Sequence, residues 1–116
     1  MISKTVTAER LGQAALDAAV AALPDDPTVQ RLVQTYVQRD PRRPGLDRAR
    51  VVAGGHGTPI WAIIGDLRGG EGLESTAATY ELPKEAVLAA IGFYREHQAV
   101  IDHRLAINDG ANPSIG

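Results

Sequence analysis

Residues 73–97 read LESTAATYELPKEAVLAAIGFYREH, and the fold turns on this stretch. The spacing predicts a short helix, a tight turn and a longer second helix in helix-turn-helix register. Ala77 stands where two helices must approach closely, so a small residue is needed. Tyr80, Leu82, Val87 and Ala90 fall where such a unit turns side chains into its own core. Pro83 suits the first turn of the second helix, because its missing N–H would be unpaired there anyway. The turn position that usually carries glycine, because the backbone there tends to go left-handed, is Glu81. A unit of this kind serves recognition, by reading DNA, docking a protein, or both. A three-helix packing unit with no DNA role has the same apolar spacing.

Outward from this stretch, Ile60, Trp61, Ile63, Ile64 and Leu67 predict a buried helix that stops at Gly69-Gly70. Before it, Arg50 to Ala53 reads as a strand, Gly54 to Gly57 as a turn and Thr58 to Ile60 as a second extended piece. Residues 40–45, DPRRPG, are half Pro or Gly and read as a linker. Earlier still, Thr7 can cap a helix from about Ala8 to Leu23, with Ala15, Ala18, Ala19 and Ala22 forming a small-residue face. Asp26-Pro27 restarts the chain as N-cap plus first-turn proline. Val29, Leu32, Val33, Tyr36 and Val37 follow the spacing of an amphipathic helix. On the other side, Ile101, Leu105 and Ile107 predict a final short helix before a mobile tail. The expected fold is therefore mainly α: a helix-turn-helix-like three-helix domain with a short β-hairpin and an N-terminal helical hairpin. The expected organisation is hairpin and linker over 1–45, helix-turn-helix domain over 46–108 and tail over 109–116.

Composition narrows the function. A chain of 116 residues builds one domain with a modest core, and only 4% of it is aromatic. The core must therefore be mostly Ala, Val, Leu and Ile. The chain has no cysteine, which removes disulfides, thiolate metal sites and cysteine nucleophiles and fits a reducing cytoplasm. No apolar run is long enough for a membrane span, and the N-terminus lacks the cationic-then-apolar pattern of a signal peptide. A cytoplasmic location without membrane contact is expected. The net charge of −2 gives the whole molecule no pull on nucleic acid. The charges are uneven, however. Residues before Val51 hold eight Lys/Arg against six Asp/Glu, whereas residues from Asp66 onward hold four against eight.

Candidate sites follow from these patterns. Arg39, Arg42, Arg43, Arg48 and Arg50 crowd one loop segment and could clamp phosphate or follow a minor groove. A solvated linker kept soluble by charge is the plainer explanation. Lys84, at the start of the second helix, is the one outward side chain there suited to reading a base or holding phosphate. The other outward positions, Glu85, Leu88, Ala89 and Gly92, fit close protein contact better than base readout. Gly54-Gly55-His56-Gly57 lacks the Gly-Lys-Ser/Thr ending of a phosphate loop and reads as a tight hairpin turn. His97, Asp102 and His103 lack metal-ligand spacing on a helix. Ser75, Thr76 and Thr79 have no nearby His–Asp pair to activate them. Neither an enzyme nor a cofactor or metal is expected.

A resemblance extends over residues 51–105. Gly57-Thr58, Ile60-Trp61-Ala62-Ile63, Leu73-Glu74, Ala77, Tyr80, Leu82-Pro83, Glu85-Ala86-Val87, Ala89-Ala90, Phe93-Tyr94, Glu96-His97 and Ile101-Asp102 carry it. In these residues the chain resembles a small bacterial domain family of unknown function, number four hundred and thirty-three, often described as VapB-type antitoxin. Pro59 stands where that family usually has arginine, and residues 1–50 lie outside its core. The resemblance implies a helix-turn-helix-like domain, commonly dimeric. It implies a type II antitoxin that neutralises a PIN-like ribonuclease toxin and represses its own promoter by binding DNA. The alternative is a homodimeric protein-interaction module with no DNA role.

Overall fold

A computed structural model describes residues 14–43 and 45–110. The expected cap at Thr7 and the tail after Gly110 lie outside the described residues. The chain is mainly helical with a small three-stranded antiparallel sheet. The first helix, α1, covers residues 14–21. Then come α2 (Asp26–Tyr36), β1 (Val37–Gln38), a single 3-10 turn (Leu46–Arg48), β2 (Arg50–Ala53) and β3 (His56–Pro59). Helices α3 (Ile60–Arg68), α4 (Leu73–Thr79), α5 (Lys84–Glu96) and α6 (Gln98–Gly110) complete the order. Among the described residues, no helix is long and apolar enough to cross a membrane.

Helix α2 starts one residue earlier than its sequence suggests. Asp25, not Asp26, is the N-cap, and its carboxylate accepts from the Thr28 amide and, at 2.9 Å, from the Thr28 hydroxyl. The helix also ends earlier, because Val37 turns extended and pairs with Val51 while Gln38 pairs with Arg50. The expected two-strand hairpin is thus a three-stranded sheet with β2 in the centre. The β2–β3 turn is only Gly54-Gly55, at φ +62° and +85°, as a two-residue hairpin of this hand requires.

Helix α3 buries Ile60, Ile63, Ile64 and Leu67, one apolar stripe at i, i+3, i+4 and i+7. It ends in a Schellman arrangement: Gly70 N–H donates to Leu67 O and Glu71 N–H to Asp66 O, with Gly70 at φ +100°. Helix α4 ends the same way. Glu81 N–H donates to Ala78 O, Leu82 N–H donates to Ala77 O, and Leu82 is buried behind them. Here the left-handed residue is Glu81, at φ +54°. It has the conformation its position in the turn foretold, without the residue type that suits it.

Helix α5 is the centre of the molecule. Ala86, Val87, Ala89, Ala90, Ile91, Gly92, Phe93 and Tyr94 are all buried on it, and only Lys84, Glu85 and Glu96 are fully exposed. A helix apolar on nearly every side needs neighbours on nearly every side. Helix α2 supplies one of them. Val29 is fully buried, and a β-carbon on Gly92 would lie 2.5 Å from its Cγ1. Leu16 of α1 joins the same core as Val51, Ile63, Ile91 and Ile101, so the core runs across residue 45.

Helix α6 is longer than the short helix expected. Ile101 is fully buried, while Ile107 is 41% exposed. Two polar links fix α6. Arg104 donates twice to Asp47 Oδ2, at 3.0 and 2.5 Å, and this guanidinium holds the Asp47 carboxyl below its usual range. Arg68 donates to Asp102, and Tyr94 donates to the same carboxylate at 2.9 Å. Burial first, then Asp102, raises the Tyr94 hydroxyl pKa.

Candidate nucleic-acid interface

Residues 40–43 of the segment read as a linker form a turn held by one backbone and one side-chain hydrogen bond. Arg43 N–H donates to Asp40 O at 3.0 Å, closing a turn with Pro41 in its second position. The Asp40 carboxylate accepts from the Arg42 amide at 2.9 Å. Aspartate before proline does this because its short side chain mimics a backbone acceptor. After Gly45 the chain enters the 3-10 turn, where Arg48 N–H donates to Gly45 O, and then β2. Arg43, Arg48 and Arg50 are thereby presented from three different local structures.

These three arginines line one open cleft of about 230 Å³ with Asp40, Gly57, Pro59 and Trp61. Arg50 lies across the hairpin, and Gly57 makes room for it. A β-carbon on Gly57 would sit 2.9 Å from Arg50 Cδ and 3.4 Å from its Nε. The Arg50 Nε is buried and has no hydrogen-bond partner. The cleft carries three guanidinium groups against one carboxylate. Asp47, the other acid close by, is engaged by Arg104 and approaches Arg48 only to 4.0 Å. Among the described residues, the side chains of Arg43 and Arg50 form no ion pair. Positive charge with open donors beside an aromatic ring is the chemistry that holds phosphate and stacks a planar base.

The structure divides the sequence-derived site residues into three groups. Arg43, Arg48 and Arg50 come together. Arg39 and Arg42 are exposed on the same segment and do not line the cleft. Lys84 lines a separate apolar groove of about 420 Å³ with Leu88, Leu67, Leu73 and the N-terminal alanines Ala15, Ala18, Ala19 and Ala22. Trp61 is the residue the sequence reading missed, because its place in an apolar stripe marked it for the core. Its position, two residues past the end of a strand that runs beside Arg50, was the available signal.

The outward surface expected on α5 requires correction. Ala89 and Gly92 are buried and Leu88 is half-buried; of the four, only Glu85 is fully exposed. Helix α2 seats Val29 on Gly92, whereas Leu88 borders the open groove between α1 and α5. The middle of α5 is therefore covered, while its N-terminal end, with Lys84 and Glu85, stays exposed. His56 of the hairpin is exposed and donates from Nε2 to Tyr80 O at 3.1 Å. It thereby ties the hairpin to the α4–α5 turn. Burial, then the Asp66 carboxylate, pushes the Tyr80 hydroxyl up to about 12. Asp102 is occupied by Arg68 and Tyr94, and the His97 ring leans on Phe93 with centroids 4.5 Å apart. Among the described residues, no group of three His, Asp or Glu side chains could hold a metal ion.

No family model, no curated protein and no solved structure matches this chain.

Proposed function

We propose that this protein is a nucleic-acid-binding regulator that grips the phosphate backbone at the cleft formed by Arg43, Arg48 and Arg50. The observation that carries this reading is the convergence of three unpaired or weakly paired guanidinium groups on one concave surface. Arginine holds phosphate through a planar fork, and each phosphate neutralised releases counter-ions, so affinity falls with salt. Residues from Asp66 onward, with four Lys/Arg against eight Asp/Glu, repel nucleic acid, which favours the arginine face for this contact. The test is fragment binding across a salt series, with single- and double-stranded fragments. Changing Arg43 and Arg48 to Ala should weaken binding to every sequence and flatten the log–log salt slope by about one to two units. An unchanged slope refutes the assignment.

Toxin neutralisation is the second reading, and the resemblance over residues 51–105 is its source. The half-open groove between α1, the α3–α4 loop and α5 favours it, because Leu67, Leu73 and Leu88 give it an apolar floor beside Glu71. Exposed Glu74, Glu81 and Glu85 on the neighbouring α4–α5 surface would complement the basic rim of a ribonuclease. In this reading the chain is the antitoxin of a type II pair, dimeric and autoregulating. Co-expression with a candidate nuclease, followed by co-purification and growth rescue, tests it. Absence of both outcomes leaves the nucleic-acid reading standing alone.

A further inference from the structure

We infer that the arginine cleft takes one nucleotide of an unpaired strand, with its phosphate on Arg43, Arg48 and Arg50 and its base against Trp61. The inference rests on the nucleic-acid reading above and adds the class of strand. Three observations carry it.

The site is concave and small, at about 230 Å³. A duplex presents a convex backbone with its bases paired and stacked inside, so it could touch the arginines but could not offer a base to Trp61. An unpaired strand can offer both, which is how aromatic side chains beside cationic grooves hold single strands.

Arg50 Nε is buried without a partner. A buried donor left unpaired is unfavourable, and Arg50 lines the cleft, where its guanidinium can meet a phosphate oxygen. Gly57 belongs to the same arrangement. Its lack of a side chain lets the Arg50 stem lie flat on the hairpin, so the guanidinium reaches the cleft rather than standing off it.

Trp61 is half-buried yet lines the cleft, in the first turn of α3 directly after β3. It is held on one side by the core and open on the other.

Trp61 is also the only tryptophan of the chain, so it reports its own contact. The experiment titrates the intact protein with a ten-nucleotide oligothymidine and with a hairpin duplex of equal phosphate count. Trp61 emission and the anisotropy of a dye on the nucleic acid are followed together. The expected result is tighter binding of oligothymidine, with Trp61 emission quenched by it and little changed by the duplex. Trp61→Leu should weaken oligothymidine by about tenfold and leave duplex affinity unchanged, whereas Trp61→Phe should retain most of the affinity. Gly57→Ala should weaken both probes. The wild-type emission decides the matter even if a variant fails to fold. Oligothymidine bound without quenching, or a duplex bound as tightly, overturns this inference and leaves backbone contact in place. Binding of neither probe overturns both.

Discussion

Replacing Gly92 with Ala tests whether α2 truly closes over α5. The substitution removes a helix glycine, which by itself stabilises a helix interior by about 1 kcal/mol. Against this, the new methyl would meet Val29 Cγ1 at 2.5 Å, where carbon atoms normally rest at about 3.5–4 Å. Val29 cannot easily move aside. It is fully buried, and a β-branched side chain on a helix has essentially one χ1 rotamer. Val33 Cγ2, at 3.5 Å, stands behind it on the same helix. Helix α2 must therefore lift by roughly an ångström, and overpacking of this kind costs about 1–3 kcal/mol. The methyl should outweigh the propensity gain, for a net loss of about 1 kcal/mol. Urea unfolding followed by Trp61 emission measures it as a lower midpoint at constant slope. Val29→Ala alone should cost about 2 kcal/mol through lost burial and a cavity. The two changes together should cost less than their sum by at least about 1 kcal/mol, because the methyl added at position 92 then occupies the vacated space. A neutral or stabilising Gly92→Ala, or strict additivity, would refute the packing and return Gly92 to an open surface.

Other outcomes follow from single features. Glu81→Gly should raise stability by about 0.5–1 kcal/mol, since a non-glycine residue at φ +54° costs about 1–2 kcal/mol and glycine's extra unfolded freedom offsets part of the gain. Glu81→Ala should give no such gain, and thermal melts of the pair separate backbone relief from loss of the carboxylate. Asp47→Asn should lower stability by about 1 kcal/mol at neutral pH, because it removes the negative charge that strengthens both hydrogen bonds from Arg104. The Asp47 carboxyl has a lowered pKa, so its contribution is present above the unfolded value of about 4 and disappears as pH falls through the lower folded value. A wild-type and Asp47→Asn pair whose stability difference does not begin to shrink as pH falls below about 4 contradicts that link.

Local chemistry makes much of the fold readable. The buried stripe of α3, its stop at Gly69-Gly70, the glycine hairpin turn and the left-handed position at Glu81 all arise from neighbours in the chain. What stays hidden depends on distant ones. Val37 continues the apolar pattern of α2, yet it leaves the helix to pair with Val51, and nothing within a few residues announces that pairing. On α5, the apolar residues go nearly all the way round, so the sequence indicates a cover without identifying it. Ala89 and Gly92 read as a surface for a foreign partner, yet both are buried, Gly92 beneath Val29 of α2, while Leu88 stays at the edge of an open groove. A small residue opposite Val29 and Val33 is the clue to that match. For the cleft, the crowding of arginines is legible, but which three converge depends on the Asp40 turn and the strand register. Trp61 is hidden because the residue serves the core and the cleft at once.

The docking of α2 also bears on how long the folded state lasts. The β2–β3 hairpin closes over two glycines, and hairpins of this size form in about 1–10 µs. Helix α2 instead meets α5 across long stretches of chain: Gln30 donates to Glu96 and Arg95 to Asp26, pairs 66 and 69 residues apart. Loops of that length close at an added entropic cost, so this contact is expected to form after the local ones. An element seated after the rate-limiting barrier influences escape from the native basin more than arrival in it. Rapid-mixing measurements on Gly92→Ala should therefore show a raised unfolding limb and a nearly unchanged refolding limb. By this route the α2 helix sets the lifetime of the native state, and with it the window in which a protease can find the chain open.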